Sequence, residues 1–302
     1  MGANSKIAWC DHSFNPWIGC TKVSPACDNC YAESWAKRSG LVKWGPHAER
    51  RRTSASTWRQ PFKWNAGAAE KRGIFYRVFC GSLCDVFDNA VPDDWRLELF
   101  DMIQKTPFLQ WMLLTKRIGN VQDMLDEIGC NWIADKTWIG ITVCNQEEAD
   151  RDIPKLMRIT ATKRFLSIEP MLGAIDLQKF IDPWTCSSCG YHGSEDDSVG
   201  IEHDGEIFDS CPKCGSVYSW YRDYGFMFSE CNRNNRIIDW VIVGSENGSK
   251  RRPIDNNCVA NVLEQCRAEN VPVFVKQLEI NRKLIKDVSQ FPEGLRIQEF
   301  PK

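Results

Sequence analysis

Two closely spaced cysteine pairs carry the clearest chemical signal in this sequence of 302 residues. Cys186 and Cys189 form one CxxC knuckle, Cys211 and Cys214 form another, and a glycine follows each pair. Four thiolates held on two tight turns suit tetrahedral zinc, and because no coordination position stays open, such a site is structural. Rubredoxin-like iron is the alternative for the same four ligands. Two disulfides fit less well, because the N-terminal residues do not resemble an export signal.

A second cysteine group, Cys20, Cys27 and Cys30, has the spacing CX6CX2C and precedes a predicted helix. Three thiolates on one loop can bind a 4Fe-4S cluster at three of its irons, which leaves the fourth iron open to another ligand. The alternative is a second zinc site, completed by His12 or Cys10. The spacing alone does not decide between an open cluster and a closed zinc site.

A third feature is the segment of residues 43–64, which interleaves basic and aromatic side chains. Its members are Lys43, Trp44, Arg50, Arg51, Arg52, Trp58, Arg59, Phe62, Lys63 and Trp64. Such a mixture suits phosphate contacts combined with base stacking, and Lys250, Arg251 and Arg252 add a second basic run. The alternative is a solvated loop with buried tryptophans, because the net charge of the chain is −2. We expect nucleic-acid contacts here.

Six short apolar runs, rich in β-branched or aromatic residues, predict the strands that must position these groups. They are RVFCGSLCD (77–85), LQWMLLTKR (109–117), TWIGITVCN (137–145), KRFLSIEPM (163–171), DWVIVGSEN (239–247) and PVFVKQLE (272–279). Amphipathic spacing predicts helices over DDWRLELFDMIQKT (93–106), RIGNVQDMLDEIG (117–129), EEADRDIPKLMRIT (147–160) and NNCVANVLEQCRAEN (256–270). This alternation predicts an α/β fold with a parallel sheet, either open or curled into a full or partial barrel.

Every one of the six runs ends in polar or reactive side chains. They are Ser82, Cys84 and Asp85; Thr115, Lys116 and Arg117; Thr142 and Asn145; Ser167 and Glu169; Ser245, Glu246 and Asn247; and Lys276 and Gln277. Because sites in parallel α/β folds lie at the carboxyl ends of the strands, we expect these side chains to converge. The alternative for any single residue is an ordinary polar loop. Lys276 differs, since a lysine within an apolar strand needs a partner or a polar cavity.

The alternation of predicted strands and helices is interrupted between Asp182 and about Arg236, in a stretch rich in Gly, Ser, Asp and Cys. We predict that residues 182–236 are an inserted zinc ribbon, and that residues 1–181 and 237–302 form the interrupted main domain. The composition, 43% hydrophobic and 26% charged, is that of a globular protein. No run approaches the roughly 18 apolar residues of a membrane span, so we expect a cytoplasmic protein with no membrane partner.

The three-cysteine element before the first predicted helix, followed by the strand series, resembles the radical S-adenosylmethionine (SAM) superfamily. The usual spacing there is CX3CX2C, and the loop here is three residues longer. More closely, segments outside the insertion are similar to a phage-associated and bacterial three-cysteine branch of that superfamily, long described as a domain of unknown function. These segments are NPWIGCTKVSPACDNCYAE, GSLCDVFDNAVP, LLTKR, WIGITVCNQEEADRDIPKL, RFLSIEPMLGAIDL, WVIVGSENGSKRRP and VPVFVKQ.

The resemblance implies a partial parallel (β/α) barrel with a 4Fe-4S cluster at its mouth, ligated by Cys20, Cys27 and Cys30. It implies SAM on the open iron, and reductive cleavage of SAM to a 5′-deoxyadenosyl radical that abstracts a substrate hydrogen. Members of the superfamily often place an aromatic residue near the adenine just after the last ligand, where this sequence has Tyr31.

The remaining site residues are assigned from their strand-end positions within that framework. Ser82 and Asp85 are assigned to the SAM amino group or a substrate donor, and Thr142 and Asn145 to the ribose. Glu169 would accept from ribose or substrate, with loop capping as its alternative role, and we expect Glu169 and Lys276 to be the catalytic residues. Lys116 and Arg117 would bind a carboxylate or phosphate, or be ordinary surface charges.

The resulting hypothesis is a radical SAM enzyme that modifies or isomerises a nucleobase substituent, for example on a modified pyrimidine in phage DNA within the host cytoplasm. An electron donor would reduce the cluster, and the zinc ribbon would help to position the polynucleotide. One alternative is the same chemistry on a small metabolite or peptide. Another is a non-catalytic zinc-binding nucleic-acid adaptor, which would hold zinc and no iron.

Overall fold

A computed structural model of the protein describes residues 2–71, 73–181, 184–186, 192–193, 199–203, 206–210, 220–222, 238–248 and 250–302. The strands are β1 (Gly2–Ala3), β2 (His12–Phe14), β3 (Trp17–Ile18), β4 (Arg51–Arg52), β5 (Tyr76–Cys80), β6 (Leu109–Thr115), β7 (Thr137–Thr142), β8 (Lys163–Ile168), β9 (Trp184–Cys186), β10 (His192–Gly193), β11 (Val199–His203), β12 (Glu206–Ser210), β13 (Trp220–Arg222), β14 (Trp240–Gly244), β15 (Val273–Ile280) and β16 (Lys283–Ile285). The helices are α1 (Tyr31–Ser39), α2 (Ala55–Trp58), α3 (Gln60–Ala69), α4 (Asp93–Gln104), α5 (Ile118–Glu127), α6 (Gln146–Met157), α7 (Gln178–Ile181) and α8 (Asn256–Ala268). The predicted α/β class is confirmed.

One large sheet organises the described part of the chain, with the strand order β1-β2-β5-β6-β7-β8-β14-β15-β16. The strands from β2 to β15 all run parallel to their neighbours, whereas β1 and β16 pair antiparallel at the two edges. Six of the parallel strands correspond to the six predicted runs. The seventh, β2, has no counterpart among the predicted runs, because three residues are too few to show an alternating pattern.

The helices from α3 to α8 contribute buried apolar side chains to one core on one face of this sheet. In α5 the buried residues Ile118, Val121 and Leu125 recur at spacings of three and four, as an amphipathic helix requires. The helix predicted over 147–160 is observed as Gln146–Met157, and the one over 256–270 as Asn256–Ala268. None of the helices in the described residues is long and apolar enough to cross a membrane.

The other face of the parallel strands forms a second apolar core, which we call the aromatic core. Its members are Trp9, Cys10, Phe79, Met112, Trp138, Phe165, Trp240, Ile242 and Phe274. The Trp240 ring lies at centroid distances of 6.3 Å from Trp9 and 6.2 Å from Phe274. Side chains from β5 and β15, which are far apart in the strand order, thus share one core, so the sheet curls. The fold is a partial barrel of mainly parallel strands.

The segment after β8 interrupts the large sheet between its fifth and sixth parallel strands. Within the segment, β9 pairs with β10 and β13, and β11 pairs with β12, all antiparallel. Of the predicted zinc ligands, Cys186 ends β9, while Cys189, Cys211 and Cys214 lie outside the described residues. The zinc ribbon over residues 182–236 therefore stays a prediction.

Candidate active site

A cavity of about 590 Å³ lies at the carboxyl ends of the parallel strands, bordered on one side by the aromatic core. Six strands contribute polar side chains to its wall: Ser82 and Asp85 after β5, Lys116 and Arg117 after β6, Thr142 in β7, Ser167 and Glu169 at the end of β8, Glu246 and Asn247 after β14, and Lys276 and Gln277 in β15. The predicted convergence of strand-end side chains is confirmed for these residues. Thr115, Asn145 and Ser245 are not part of the wall.

The three-cysteine loop forms another side of the same cavity. Cys20, Cys27 and Cys30 all line it, and their thiols are free. The Ser24 hydroxyl caps a short 3-10 helix, Pro25–Cys27, and Cys30 is the N-cap residue of α1. The two helical segments thus place Cys27 and Cys30, while Cys20 reaches the same cavity from the residues just after β3.

A buried ion pair beyond β6 holds the first cysteine. Arg117 Nη1 lies 3.2 Å from Asp85 Oδ2 and donates to Cys20 Sγ at 3.3 Å, while its Nη2 donates to Thr21 O at 2.8 Å. Asp85 also accepts from Lys116 N at 3.1 Å. Burial, with a smaller contribution from the Asp85 carboxylate, raises the pKa of the Cys20 thiol to about 11, although Arg117 acts in the opposite direction. A metal that binds Cys20 must therefore displace its proton.

A second group of side chains holds the other end of the loop. Arg252 donates to Asp28 Oδ2 at 2.9 Å and to Glu246 Oε2 at 3.1 Å, and Asn29 Nδ2 donates to Glu246 Oε2 at 2.9 Å. Burial favours the neutral form of Glu246, but the hydrogen bonds from Arg252 and Asn29 lower its pKa. We call Asp28, Asn29, Glu246 and Arg252 the loop clasp. Together with Arg117, it fixes the cysteine loop from both the β6 side and the β14 side of the cavity.

The residues suggested to complete a zinc site at this loop lie elsewhere. Cys10 packs in the aromatic core, and its thiol points to Ile7 O at 3.7 Å. The His12 ring stacks on Trp64 at a centroid distance of 4.5 Å, and its Nδ1 accepts from Asn4 N. Among the described residues, no three His, Cys, Asp or Glu side chains converge to hold a single metal ion. The structure therefore disfavours the closed zinc alternative for this loop.

Three buried polar atoms of residues in the cavity wall have no hydrogen-bond partner in the described part of the chain. They are Trp9 Nε1, Thr142 Oγ1 and Gln277 Oε1. Because an unpaired buried polar group costs free energy, such atoms indicate a ligand that pairs with them. A 4Fe-4S cluster spreads its protein ligands over separate irons, so its three cysteines need not converge on one point. The wall therefore fits a cluster next to a polar cofactor.

Glu169 and Lys276, the two predicted catalytic residues, form an ion pair at the cavity wall. Lys276 Nζ lies 2.6 Å from Oε1 and 2.8 Å from Oε2 of Glu169. Gln277 Nε2 donates to Glu169 Oε1 at 3.1 Å and to Ser245 O at 2.8 Å. The lysine within the apolar strand β15 thus has both a partner and a polar cavity, as the sequence required.

Four of the five residues predicted to bind SAM line the cavity: Tyr31, Ser82, Asp85 and Thr142. Tyr31 Oη donates to Ser82 O at 2.5 Å. The fifth residue, Asn145, instead begins α6, where its Oδ1 accepts from Glu148 N at 2.9 Å. Its predicted contact with a ribose would have to compete with this helix cap.

Arg50 does not have the role that the basic segment 43–64 suggested. It is 7% exposed, its Nε lies 2.7 Å from Asp88 Oδ2, and its Nη1 donates to the carbonyl oxygens of Gly45 and Ala48. The predicted phosphate contact of Arg50 is wrong, because a carboxylate of the protein already neutralises its charge. The exposed basic members of the segment are Lys43, Arg51, Arg59 and Lys63.

Two of the four aromatic members of this segment, Trp58 and Trp64, are also occupied by the protein itself. The Arg52 guanidinium pairs with Glu98 and lies over the Trp58 ring, 4.5 Å from its centroid. Trp64 is buried and stacks on His12. These two rings, which lie in α2 and α3, are therefore held by neighbouring side chains and are not free to stack on a base.

Among the residues of the cavity wall that sequence reasoning missed are Lys6, Trp44 and Lys286. Lys6 lies between β1 and β2, and Lys286 follows β16, so neither stands at the end of a recognisable apolar run. Trp44 was noted only as part of the basic segment. Their place in the wall depends on the curl of the sheet, which brings both of its edges to one cavity.

Comparison with known proteins gives the chain a family. Two solved structures are similar to it, both mutant forms of spore photoproduct lyase, one of them with bound AdoMet and dinucleoside spore photoproduct. Each is 15% identical with a TM-score of 0.38; the first covers 55% of this chain and the second 56%, and both matches span 47%, about half, of the lyase chain. No curated protein matches. The model of DUF5131, described as a protein of unknown function, matches residues 4–295, and the chain therefore belongs to the DUF5131 family.

Proposed function

We propose that this protein is a radical SAM enzyme that modifies or isomerises a nucleobase substituent, with a 4Fe-4S cluster on Cys20, Cys27 and Cys30. One observation carries the proposal: the three cysteines and the strand-end polar groups surround the same cavity. A closed structural metal site does not need a cavity beside its thiols, whereas a cofactor and a substrate do. When bound, the cluster and SAM supply a 5′-deoxyadenosyl radical for hydrogen abstraction.

The residues around the cysteines would hold the cofactor and exclude water from it. Asp85 and Arg117 orient Cys20, while the loop clasp orients the residues between Cys27 and Cys30. Thr142 Oγ1 and Gln277 Oε1 supply the unpaired polar atoms that a ribose hydroxyl or an amino group would satisfy. Tyr31 offers its ring to the adenine.

Glu169 and Lys276 would orient the substrate and exchange protons with it. The carboxylate of Glu169 is held by Lys276 and Gln277, so it can accept a hydrogen bond from a substrate hydroxyl or amino group without moving. The Lys276 ammonium can donate to a carbonyl oxygen of a base, and it can return a proton to a carbanion or alkoxide.

The proposed substrate is a nucleobase of DNA or RNA, and a modified pyrimidine of phage DNA is our specific candidate. Support comes from Trp44, which lines the cavity and offers a partly exposed surface for a planar ring. We further propose that residues 182–236 form a zinc ribbon on Cys186, Cys189, Cys211 and Cys214 that positions the polynucleotide. Residues 1–181 and 237–302 would then form the radical SAM core.

Anaerobic reconstitution with iron, sulfide and SAM tests the proposed function. The wild-type chain is expected to bind about four irons and about one zinc. When a reductant is added, it should convert SAM to 5′-deoxyadenosine, and oligonucleotides that contain the target base should accelerate this conversion. A reconstituted protein that holds zinc and no iron would contradict the proposal and favour the non-catalytic adaptor.

A further inference from the structure

The wall of the active-site cavity carries an excess of positive charge. Its basic residues are Lys6, Lys22, Lys116, Arg117, Lys276 and Lys286, and its acidic residues are Asp85, Glu169 and Glu246. Six basic groups face three acidic ones in a concave site, although the whole chain has a net charge of −2. Such a local excess attracts anions.

The three acidic groups are already neutralised by partners within the protein. Asp85 pairs with Arg117, Glu169 with Lys276, and Glu246 with Arg252. Lys22 also has a partner, since its Nζ lies 3.2 Å from Glu33 Oε2. None of these carboxylates is therefore free to neutralise a further lysine.

Lys6, Lys116 and Lys286 are the basic groups that remain in this wall. Their ammonium groups form no ion pair with any described residue. Lys6 and Lys286 are exposed, and Lys116 is half-buried. The three lysines come from the β1–β2 connection, the end of β6 and the residue after β16, so both edges and the middle of the sheet contribute one each. We call them the mouth lysines.

We infer that the mouth lysines bind phosphate groups of a nucleotide substrate, which makes phosphate, as well as the base, a determinant of recognition. This inference rests on the proposed function, and it names the part of the substrate that the cavity recognises. The aromatic ring of Trp44 in the same wall suits the base of that nucleotide. The phosphate could belong to a free nucleotide or to a polynucleotide strand, and both present the same group to an ammonium.

Binding measurements with three probes test the inference. The probes are thymidine, thymidine 5′-monophosphate and a single-stranded oligothymidylate of eight residues, titrated into the full-length protein at several salt concentrations. We expect the affinity to rise from thymidine to the monophosphate. If the phosphate belongs to a strand, it should rise again for the oligonucleotide, because each neutralised phosphate releases counterions. Equal affinity for thymidine and both phosphorylated probes would overturn the inference.

A set of charge variants, with one control outside the cavity, locates the effect. The triple change Lys6→Gln, Lys116→Gln and Lys286→Gln should reduce the slope of log affinity against log salt for the oligonucleotide by about two units, since each contact on a single strand contributes roughly 0.7. Arginine at the same three positions should restore the slope. Lys136→Gln removes an exposed lysine before β7, outside the cavity, and should change neither slope nor affinity. A triple Gln variant with the wild-type slope would overturn the inference.

Failure of this inference and failure of the proposed function give different results. Iron binding and SAM cleavage by the wild-type chain need no nucleotide, so they test the proposed function separately. A chain that binds iron and cleaves SAM but shows no phosphate-dependent binding overturns the role of the mouth lysines alone.

Discussion

Two regions of the molecule use basic and aromatic residues in opposite ways. In segment 43–64, Arg50 forms an ion pair with Asp88, and Arg52 forms one with Glu98. At the cavity, the carboxylates are occupied by other partners, and the mouth lysines keep their charge for a ligand. A dense run of basic residues therefore does not by itself identify an anion-binding surface. Such a surface is identified by the charges that remain after pairing within the protein.

The largest effect is expected where the basic segment is buried. Asp88→Asn leaves the Arg50 guanidinium buried without its carboxylate, so it should lower the free energy of unfolding by about 3–5 kcal/mol. Denaturant titration of the variant measures this loss. Lys63→Gln, an exposed change in the same segment, is the control and should be close to neutral. If Asp88→Asn were as stable as the control, Arg50 would not be the structural residue described above.

A smaller loss of stability is expected for a change in the loop clasp, and a still smaller loss for a change in the Arg52–Glu98 ion pair of the basic segment. The Glu246 side chain is 4% exposed, and Glu98 is 50% exposed. Glu246→Gln should therefore cost about 2 kcal/mol of stability, because it weakens charge-assisted hydrogen bonds of a buried group. Glu98→Gln should cost less than about 1 kcal/mol, because solvent screens its pair. Equal costs for the two variants would remove this distinction between the regions.

The pH dependence of the same variant provides a second readout. The pKa of Glu246 lies below the ordinary value of 4.5. The stability that its ionised form contributes is therefore fully present above pH 4.5 and is lost as the pH falls through the lowered pKa. The stability difference between wild type and Glu246→Gln should therefore shrink in acid. A difference that grows as the pH falls would contradict the assignment of the lowered pKa to this ion pair.

The two ends of β7 allow a still smaller test of the cavity. Thr142→Val removes a hydroxyl that has no partner in the described residues, so it should leave the stability unchanged or slightly higher. It should also weaken SAM binding about fivefold, the equivalent of one hydrogen bond of about 1 kcal/mol. Thr137 is the matched control, since its Oγ1 donates to Ile133 O at 2.9 Å. Thr137→Val should reduce stability and leave SAM affinity unchanged; the opposite pattern would place the cofactor elsewhere.

The smallest effect is expected from the exposed charges of the basic segment. A variant with glutamine at Lys43, Arg51, Arg59 and Lys63 should change the salt slope of oligonucleotide binding by less than about one unit. The reason is that these residues do not line the cavity. A decrease of two or more units in this salt slope would indicate that segment 43–64 binds the nucleic acid.

Much of the fold could be predicted from the sequence, because its main parallel strands are largely buried apolar runs separated by clearly amphipathic helices. In β7, for example, all six residues from Thr137 to Thr142 are buried, so the strand shows no alternation of apolar and charged residues. The strand β2 could not be found, because three residues have no period and its position depends on pairing with β5. The sequence did not determine whether the sheet is open or curled, because the curl arises from packing around Trp240.

The strand-end residues of the candidate site could be predicted from the sequence. The ion pairs between distant residues, and the wall residues outside the strand ends, could not. The parallel register brings Ser82, Thr142 and Lys276 to one cavity, and register follows from the strands themselves. The pairing of Arg50 with Asp88 was not predictable, since it joins residues whose separation in the sequence gives no signal. The same holds for Lys286, which reaches the cavity only because the sheet curls.

The iron content of cysteine variants tests the central claim, that the three-cysteine loop carries a redox cluster, most directly. After anaerobic reconstitution, the wild type and the control Cys258→Ala, a free cysteine outside the cavity, should each hold about four irons per chain. Replacement of Cys20, Cys27 or Cys30 by alanine should remove this iron. Full retention of iron in all three variants would contradict the account.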